Sequence, residues 1–176
     1  MATFDRTWSR WNTDWWEQYG MRGGIVAGVV FVLFEMLAVT LTPGVTDVFR
    51  PFRIRSAIVF GPEVIDSTTP AGASIVTGSL IHLGLSSLFG SCLGTFLAKR
   101  GRLTRSLRGL ILAAVLYGLV LWLVNIYTVA PAMGWTWFLE ETDPVVQALG
   151  HTLFFGVPLA LFLYWASAPR RHLGLE

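Results

Sequence analysis

The sequence predicts an all-α membrane protein. We expect a membrane bundle of four transmembrane helices, with an N-terminal amphipathic interfacial helix and a short outer-surface helix. The first observation is composition: 53% of the 176 residues are hydrophobic and only 14% are Asp, Glu, Lys or Arg, against roughly 25% charged residues in a typical soluble domain. The second is length, because the chain contains apolar segments of about 20 residues, which is what a helix needs to cross a bilayer.

Each apolar segment is bounded by residues that end or begin a helix. Pro43-Gly44 follows the first segment, Lys99-Arg100 follows the second and Pro131 follows the third, while Asp143-Pro144 precedes the fourth. The predicted spans are residues 23–42, 73–98, 109–130 and 145–165. They form a transmembrane domain over residues 23–166, followed by a cytoplasmic tail over residues 167–176.

The distribution of basic residues predicts the orientation. Five basic residues and no acid lie between residues 99 and 108, and further arginines lie before the first span and after the fourth. The loop between the third and fourth spans instead carries Glu140, Glu141 and Asp143 without a base. Because cytoplasmic loops are enriched in Lys and Arg, we expect a multi-pass protein of the bacterial inner (cytoplasmic) membrane with both termini cytoplasmic.

Two further segments look amphipathic rather than spanning. In residues 1–22, aromatic side chains recur on one face of a helix: Phe4, Trp8, Trp11, Trp15 and Tyr19. This pattern is typical of a membrane-surface anchor, and the alternative is a docking helix for a larger complex. Residues 48–65 mix arginines with apolar residues, which predicts a half-buried helix on the outer surface that ends near Gly61, Pro62 and Glu63.

Each predicted span contains one strongly polar residue. These residues are Glu35, His82, Asn125 and His151. Counting along the helices places all of them in one layer, roughly 8–14 Å below the outer surface. Polar side chains inside spans are costly and are therefore functional candidates. Small residues four apart on the helix of His82, among them Ser86, Gly90 and Gly94, predict close helix packing on the same face.

Three interpretations of this polar layer remain open. The four side chains could hydrogen-bond one another and fix the register of the helices. His82 and His151 could be the axial ligands of a haem b, since their helices run parallel. The layer could also serve a proton or a small solute, in which case a pathway would require an oligomer or a partner.

Several strings in the sequence are similar to a group of small four-helix bacterial membrane proteins. They include SLIHLGLSSLFGSCLG around His82, LYGLVLWLVNIYTVAPAMGWTWF around Asn125, and ALGHTLFFGVPLALFLYW around His151. Some members of this group carry the automatic name "sodium:proline symporter", and YagU-like inner-membrane proteins look like distant relatives. The resemblance extends from about residue 50 to residue 165 and implies a fold more than an activity.

No catalytic or metal-binding motif accompanies these features in the sequence. We therefore predict a non-enzymatic integral membrane protein that is an accessory or scaffolding subunit of a larger membrane complex. Its expected partners are the lipid bilayer and a protein partner or a second copy of the chain, and no nucleic acid. A redox subunit with haem b and a translocating oligomer are the alternatives.

Overall fold

The computed structural model describes residues 2–66 and 70–168, with side chains from residue 13 onward. All regular elements in these residues are helical, which confirms the predicted all-α class. The α-helices are α1 (Ala2–Thr40), α2 (Arg50–Phe60), α3 (Gly72–Ala98), α4 (Gly101–Thr104), α5 (Leu107–Val124), α6 (Ala130–Ala132), α7 (Trp137–Glu140), α8 (Pro144–Leu149) and α9 (Val157–Ala166).

Four helical stretches are long and apolar enough to cross a membrane, as expected of an integral membrane protein. In chain order these four spans are Thr13–Thr40, Gly72–Ala98, Leu107–Ala132 and Pro144–Ala166. The second, third and fourth begin and end within two residues of the predicted bounds. Loop 41–49, together with α2 and α7, lies at the end of the bundle opposite Ala2 and Ala168, the first and last described residues. We call these two ends the cap end and the terminal end.

The first span differs most from its predicted bounds, because α1 is continuous from Ala2 to Thr40. The helix does not break at residue 22, where the interfacial helix was expected to end. Trp15 stacks on Tyr19 with ring centroids 4.3 Å apart, and both pack against the hydrophobic core. This part of the predicted anchor face therefore contributes to the bundle, whereas the side chains of Phe4, Trp8 and Trp11 lie outside the described residues.

Glycines bring the first and second spans into backbone contact. A Cβ atom on Gly24 would collide with the carbonyl oxygen of Ser86, and one on Gly90 would collide with that of Gly20. A Cβ on Gly90 would also lie 2.8 Å from the Cα of Gly24. The pairs run in opposite order along the two helices, so the spans are antiparallel. Small residues permit this close approach, as the small residues four apart on the helix of His82 predicted.

The third and fourth spans also contact each other through glycine. A Cβ on Gly118 would collide with the carbonyl oxygen of His151, and one on Gly156 would lie 2.8 Å from that of Ala114. The fourth span packs in turn on the first, where the rings of Phe34 and Phe154 stack with centroids 3.8 Å apart. The terminal half of the bundle is filled by fully buried leucines: Leu93, Leu97, Leu110, Leu159 and Leu163.

Two widened, π-helical turns interrupt the later spans, at Asn125–Val129 in the third and at Gly150–Gly156 in the fourth. Each ends two residues before a proline, Pro131 and Pro158 respectively. Proline has no N–H to donate, and its ring clashes with the carbonyl of the residue four positions earlier. A wider turn moves that carbonyl away and lets the helix continue, as shown by the hydrogen bond from the N–H of Ala130 to the carbonyl of Asn125.

The cap consists of α2, the short 3₁₀ turn Pro62–Val64 and α7. Ile54 packs with Ala57 and Ile65 in a separate hydrophobic cluster, and the indole of Trp137 donates to the carbonyl of Ile54 at 3.3 Å. The helix α2 ends at Phe60, because Gly61 takes a φ of +88°, a backbone conformation that favours glycine. Most of residues 51–57 in α2 are buried, which is more than we expected of a half-buried surface helix, whereas the 3₁₀ turn and α7 contain no buried residue.

Ion pairs hold the cap together. Arg50 binds Asp66 at 3.0 Å and also contacts Glu141, while Arg53 binds Asp47 at 2.6 Å. Burial acts to lower the pKa of Arg50, but the hydrogen bonds to the two acids outweigh it and raise the pKa above its ordinary value. Within the motif Gly61, Pro62 and Glu63, the glycine ends α2, the proline begins the 3₁₀ turn and the glutamate is exposed.

We expect Gly90→Val to destabilise the bundle by about 1–3 kcal/mol, because its side chain has to push apart two backbones that are in contact. The matched control is Gly84→Val in the same helix, where a Cβ meets open space. Unfolding of both variants in mixed detergent micelles, titrated with SDS and followed by circular dichroism, measures the difference. Equal unfolding midpoints would contradict the backbone contact.

Candidate functional site

A cavity of about 570 Å³ lies between the second and third spans, on the cap side of the leucine-filled half. Its wall is mainly apolar and includes Leu85, Phe89, Leu121 and Ile126. The two spans that flank it are not joined by glycine contacts like those of the neighbouring pairs. They are linked instead by a hydrogen bond at 2.9 Å from the Tyr117 hydroxyl to the carbonyl of Phe89.

The cavity opens on the lateral face of the bundle. Leu80 and Leu85 line it and are 70% and 43% exposed, and Val129 on the third span is 38% exposed. Ile58 and Phe138 of the cap close the cavity at the cap end. The opening therefore faces the surface that a bilayer would cover.

Three of the four predicted polar residues line this one cavity: His82, Asn125 and His151. Arg55 and Gln147 line it as well, although the sequence analysis did not include them in the polar layer. Glu35 joins the group indirectly, because its carboxylate binds both of these side chains. The predicted residues therefore lie close to one another in the bundle. The structure adds Arg55 and Gln147, which connect Glu35 to the cavity.

Glu35 forms a buried ion pair with Arg55 of α2. The guanidinium Nη2 and the carboxylate Oε2 are 2.5 Å apart, and the second carboxylate oxygen accepts a hydrogen bond of 2.8 Å from Nε2 of Gln147. Glu35 is only 4% exposed, and Arg55 also donates to the carbonyl of Pro51 at 2.8 Å. A buried charge without a partner is severely unfavourable. The pair therefore explains both how a carboxylate is tolerated inside the first span and why α2 is held against the bundle.

The two histidines contact the ring of Phe31 edge-to-face. The ring centroids are 5.6 Å apart for His82 and 4.8 Å apart for His151. Nε2 of His82 lies 2.8 Å from the carbonyl oxygen of Gly28, and Nδ1 of His151 lies 2.8 Å from that of Gln147. A carbonyl can only accept, so each of these ring nitrogens carries the proton.

None of the four predicted residues hydrogen-bonds directly to another of them among the described side chains. Glu35 binds Arg55 and Gln147, while the histidines bind backbone carbonyls. The hydrogen bonds of these residues therefore differ from those of the first interpretation, in which the four side chains bond one another.

The arrangement of the histidines does not fit a haem held between them. Both imidazoles pack against the same phenylalanine ring, and Nε2 of His82 is engaged by the carbonyl of Gly28. A metal-binding imidazole needs an unprotonated nitrogen directed at the metal. Bis-histidine ligation would require Phe31 to move and this hydrogen bond to break.

Fold and site together define a small helical-bundle protein of membrane type with a lateral cavity. Comparison with protein-family models, with curated proteins and with solved structures finds no match to the chain. The resemblance to the small four-helix bacterial membrane proteins therefore stays a prediction.

We expect Glu35→Gln and Arg55→Gln each to destabilise the protein by roughly 3–5 kcal/mol, since each leaves one buried charge unpaired. The double variant should lose clearly less than the sum of the two, because neither charge remains. The SDS titration described above measures the cycle. Asp66→Asn is the control: it removes one partner of an ion pair whose acid is 78% exposed, and should cost about 0–1 kcal/mol. Additive losses in the double variant would show that the two side chains are not coupled.

Proposed function

We propose that this chain is a non-enzymatic integral membrane protein that takes up a lipid-soluble small molecule from the bilayer into the cavity between its second and third spans. The lateral opening of the cavity is the observation that carries this proposal. At about 570 Å³ the cavity lies within the range of roughly 300–1,000 Å³ that is typical of small-molecule sites.

The surroundings of the cavity favour entry from the membrane rather than from water. The cap closes one end, and the buried leucines fill the bundle at the other. At the lateral face the exposed lining residues Leu80, Leu85 and Val129 are all apolar. An apolar wall with a few convergent polar groups is typical of a site that binds an apolar body and orients one polar end.

The leucine-filled half also bears on translocation. A proton or a solute that entered the cavity would have to cross this layer to reach the terminal end. Translocation by an oligomer stays a prediction, for which a pathway would need surfaces from another chain.

The accessory or scaffolding role in a larger membrane complex is compatible with binding of a lipid-soluble molecule, and it stays a prediction as well. Extraction in a mild detergent, followed by native mass spectrometry, reports a protein partner or a second copy directly. Purification as a lone monomer would count against this role.

We also propose that both termini are cytoplasmic, in a bacterial inner membrane. The charges of the two ends support this orientation. At the cap end Arg50, Arg53 and Arg55 each bind an acid. At the terminal end five basic residues occur between residues 99 and 108 without an acid among them. Such an excess of Lys and Arg is typical of the cytoplasmic side.

Filling the cavity should abolish binding. Gly84 lines it, and a Cβ there meets open space, so Gly84→Trp adds a large side chain at the cavity without a backbone clash. We expect the parent protein to retain 1-monooleoylglycerol in native mass spectrometry and Gly84→Trp to lose at least about nine-tenths of the adduct, a tenfold loss of affinity or more. Gly72→Trp is the control, since a Cβ there also meets open space but Gly72 lies at the start of the second span, away from the cavity. Equal adducts in all three proteins would refute binding in the cavity.

Single cysteines test the orientation. In a Cys92→Ser background, Glu140→Cys places a thiol at the cap end and Arg102→Cys places one at the terminal end, and both positions are exposed. We expect a membrane-impermeant maleimide to label Glu140→Cys on intact cells, and Arg102→Cys only after the cells are permeabilised. The reverse pattern would invert the proposed topology.

A further inference from the structure

Some of the polar residues that line the cavity have hydrogen-bond donors or acceptors that no described residue of the protein binds. His151 donates its Nδ1 proton to the carbonyl of Gln147, and an imidazole in its uncharged form then accepts at Nε2. The uncharged form is the favoured one, because no acid among the described residues contacts His151 and a charge inside a span is costly. Nε2 makes no hydrogen bond within the described part of the chain. His151 therefore offers an acceptor to the cavity.

Asn125 offers a second unused group. Asn125 lines the cavity and is partly buried, and its side chain makes no hydrogen bond with any described residue. A carboxamide presents both donors and an acceptor, and leaving these unpaired away from water is unfavourable. Both Asn125 and His151 lie in the widened turns of their spans, and such turns are frequent at functional sites.

The charged groups near the cavity do not favour an anion. Arg55 is the one cation among the described lining residues, and the carboxylate of Glu35 neutralises it at 2.5 Å. Among the lining groups left unused are an acceptor on His151 and a donor–acceptor pair on Asn125, and neither residue carries a charge. A hydroxyl group matches them, since it donates one hydrogen bond and accepts others.

We infer that the cavity binds an uncharged amphiphile that carries a hydroxyl group at the end of an apolar body. The hydroxyl donates to Nε2 of His151 and accepts from Nδ2 of Asn125, while the apolar body lies against the leucines of the lateral wall. This inference rests on the proposed function and adds the chemistry by which the ligand is selected.

Three probes share the same oleoyl chain and differ in the polar group that would reach His151 and Asn125. They are 1-monooleoylglycerol with free hydroxyls, methyl oleate with an ester that can only accept, and oleate with a negative charge. Competition between pairs of probes for the detergent-solubilised full chain, measured by native mass spectrometry, gives their relative affinities. We expect 1-monooleoylglycerol to bind roughly tenfold more tightly than either of the others, because only its hydroxyl can donate to His151 and one hydrogen bond gives up to about this factor.

Variants at His151 and Asn125 should separate the two hydrogen bonds while the cavity still binds. His151→Phe keeps an aromatic ring but removes the acceptor, and Asn125→Leu keeps a similar volume but removes the amide. In His151→Phe we expect the affinities for 1-monooleoylglycerol and methyl oleate to become equal to within about twofold, because no acceptor remains for the hydroxyl proton. In Asn125→Leu we expect both affinities to fall together and the preference to remain, because both ligands accept from the amide. Thr152→Val is the control, because its hydroxyl bonds the carbonyl of Ala148 at 2.6 Å and does not line the cavity. It should retain the tenfold preference. A ratio of two ligands measured on one variant is insensitive to a general loss of stability.

The outcomes distinguish the two proposals. If 1-monooleoylglycerol and methyl oleate bind the parent equally and Gly84→Trp abolishes both, the cavity binds lipid-soluble molecules but does not select a hydroxyl. If oleate binds most tightly, the selection of an uncharged ligand is overturned. If none of the probes binds the parent, the proposed function fails and this inference fails with it.

Discussion

The ion pair between Glu35 and Arg55 determines the position of most other parts of the site. A carboxylate inside an apolar helix needs a cation at contact distance, and the chain supplies it from α2, which belongs to the cap. The pair therefore draws the cap onto the bundle, where Ile58 and Phe138 close one end of the cavity. Gln147 binds the same carboxylate through its side chain, and its backbone carbonyl accepts a hydrogen bond from Nδ1 of His151. One buried charge thus orders the cap, the fourth span and a histidine together.

The cavity exists because close packing is distributed unevenly among the four spans. Glycine brings the first span into backbone contact with the second, and the third into contact with the fourth. Lipid gives little hydrophobic drive to helix association, so contacts of this kind decide which helices approach closely. Between the second and third spans the hydroxyl of Tyr117 instead donates to the backbone carbonyl of Phe89. The space on their cap side is left open, and it faces the lateral surface.

The fold class and the four spans could be predicted because hydropathy depends on local composition alone. The common level of Glu35, His82, Asn125 and His151 could be predicted because an α-helix has a constant rise per residue. Arg55 was missed because its segment is short and carries three arginines, a pattern typical of a surface helix. One signal was present, since a glutamate within a span requires a cation. The sequence does not say which arginine reaches it, because that depends on how α2 folds back over the bundle.

The N-terminal segment shows a second limit of local patterns. Aromatic residues at helical spacing indicate one face of a helix, but they do not distinguish a face that lies on lipid from one that packs on protein. Trp15 and Tyr19 pack against the core of the bundle, as part of a helix that continues into the first span. The prolines at 131 and 158 were visible too, yet whether a proline ends a helix or widens one of its turns depends on the tertiary contacts around it.

The widened turn in the fourth span also settles how that helix winds. Its inward residues recur every four positions, at Gln147, His151, Phe155, Leu159 and Leu163. In a regular α-helix each such step overshoots a full turn by about 40°, so the stripe would rotate away from the bundle axis over this length. A turn that holds more residues rotates the stripe back. The histidine that faces the cavity and the leucines that fill the terminal half thereby share one side of the helix, although an uninterrupted α-helix would have directed them apart.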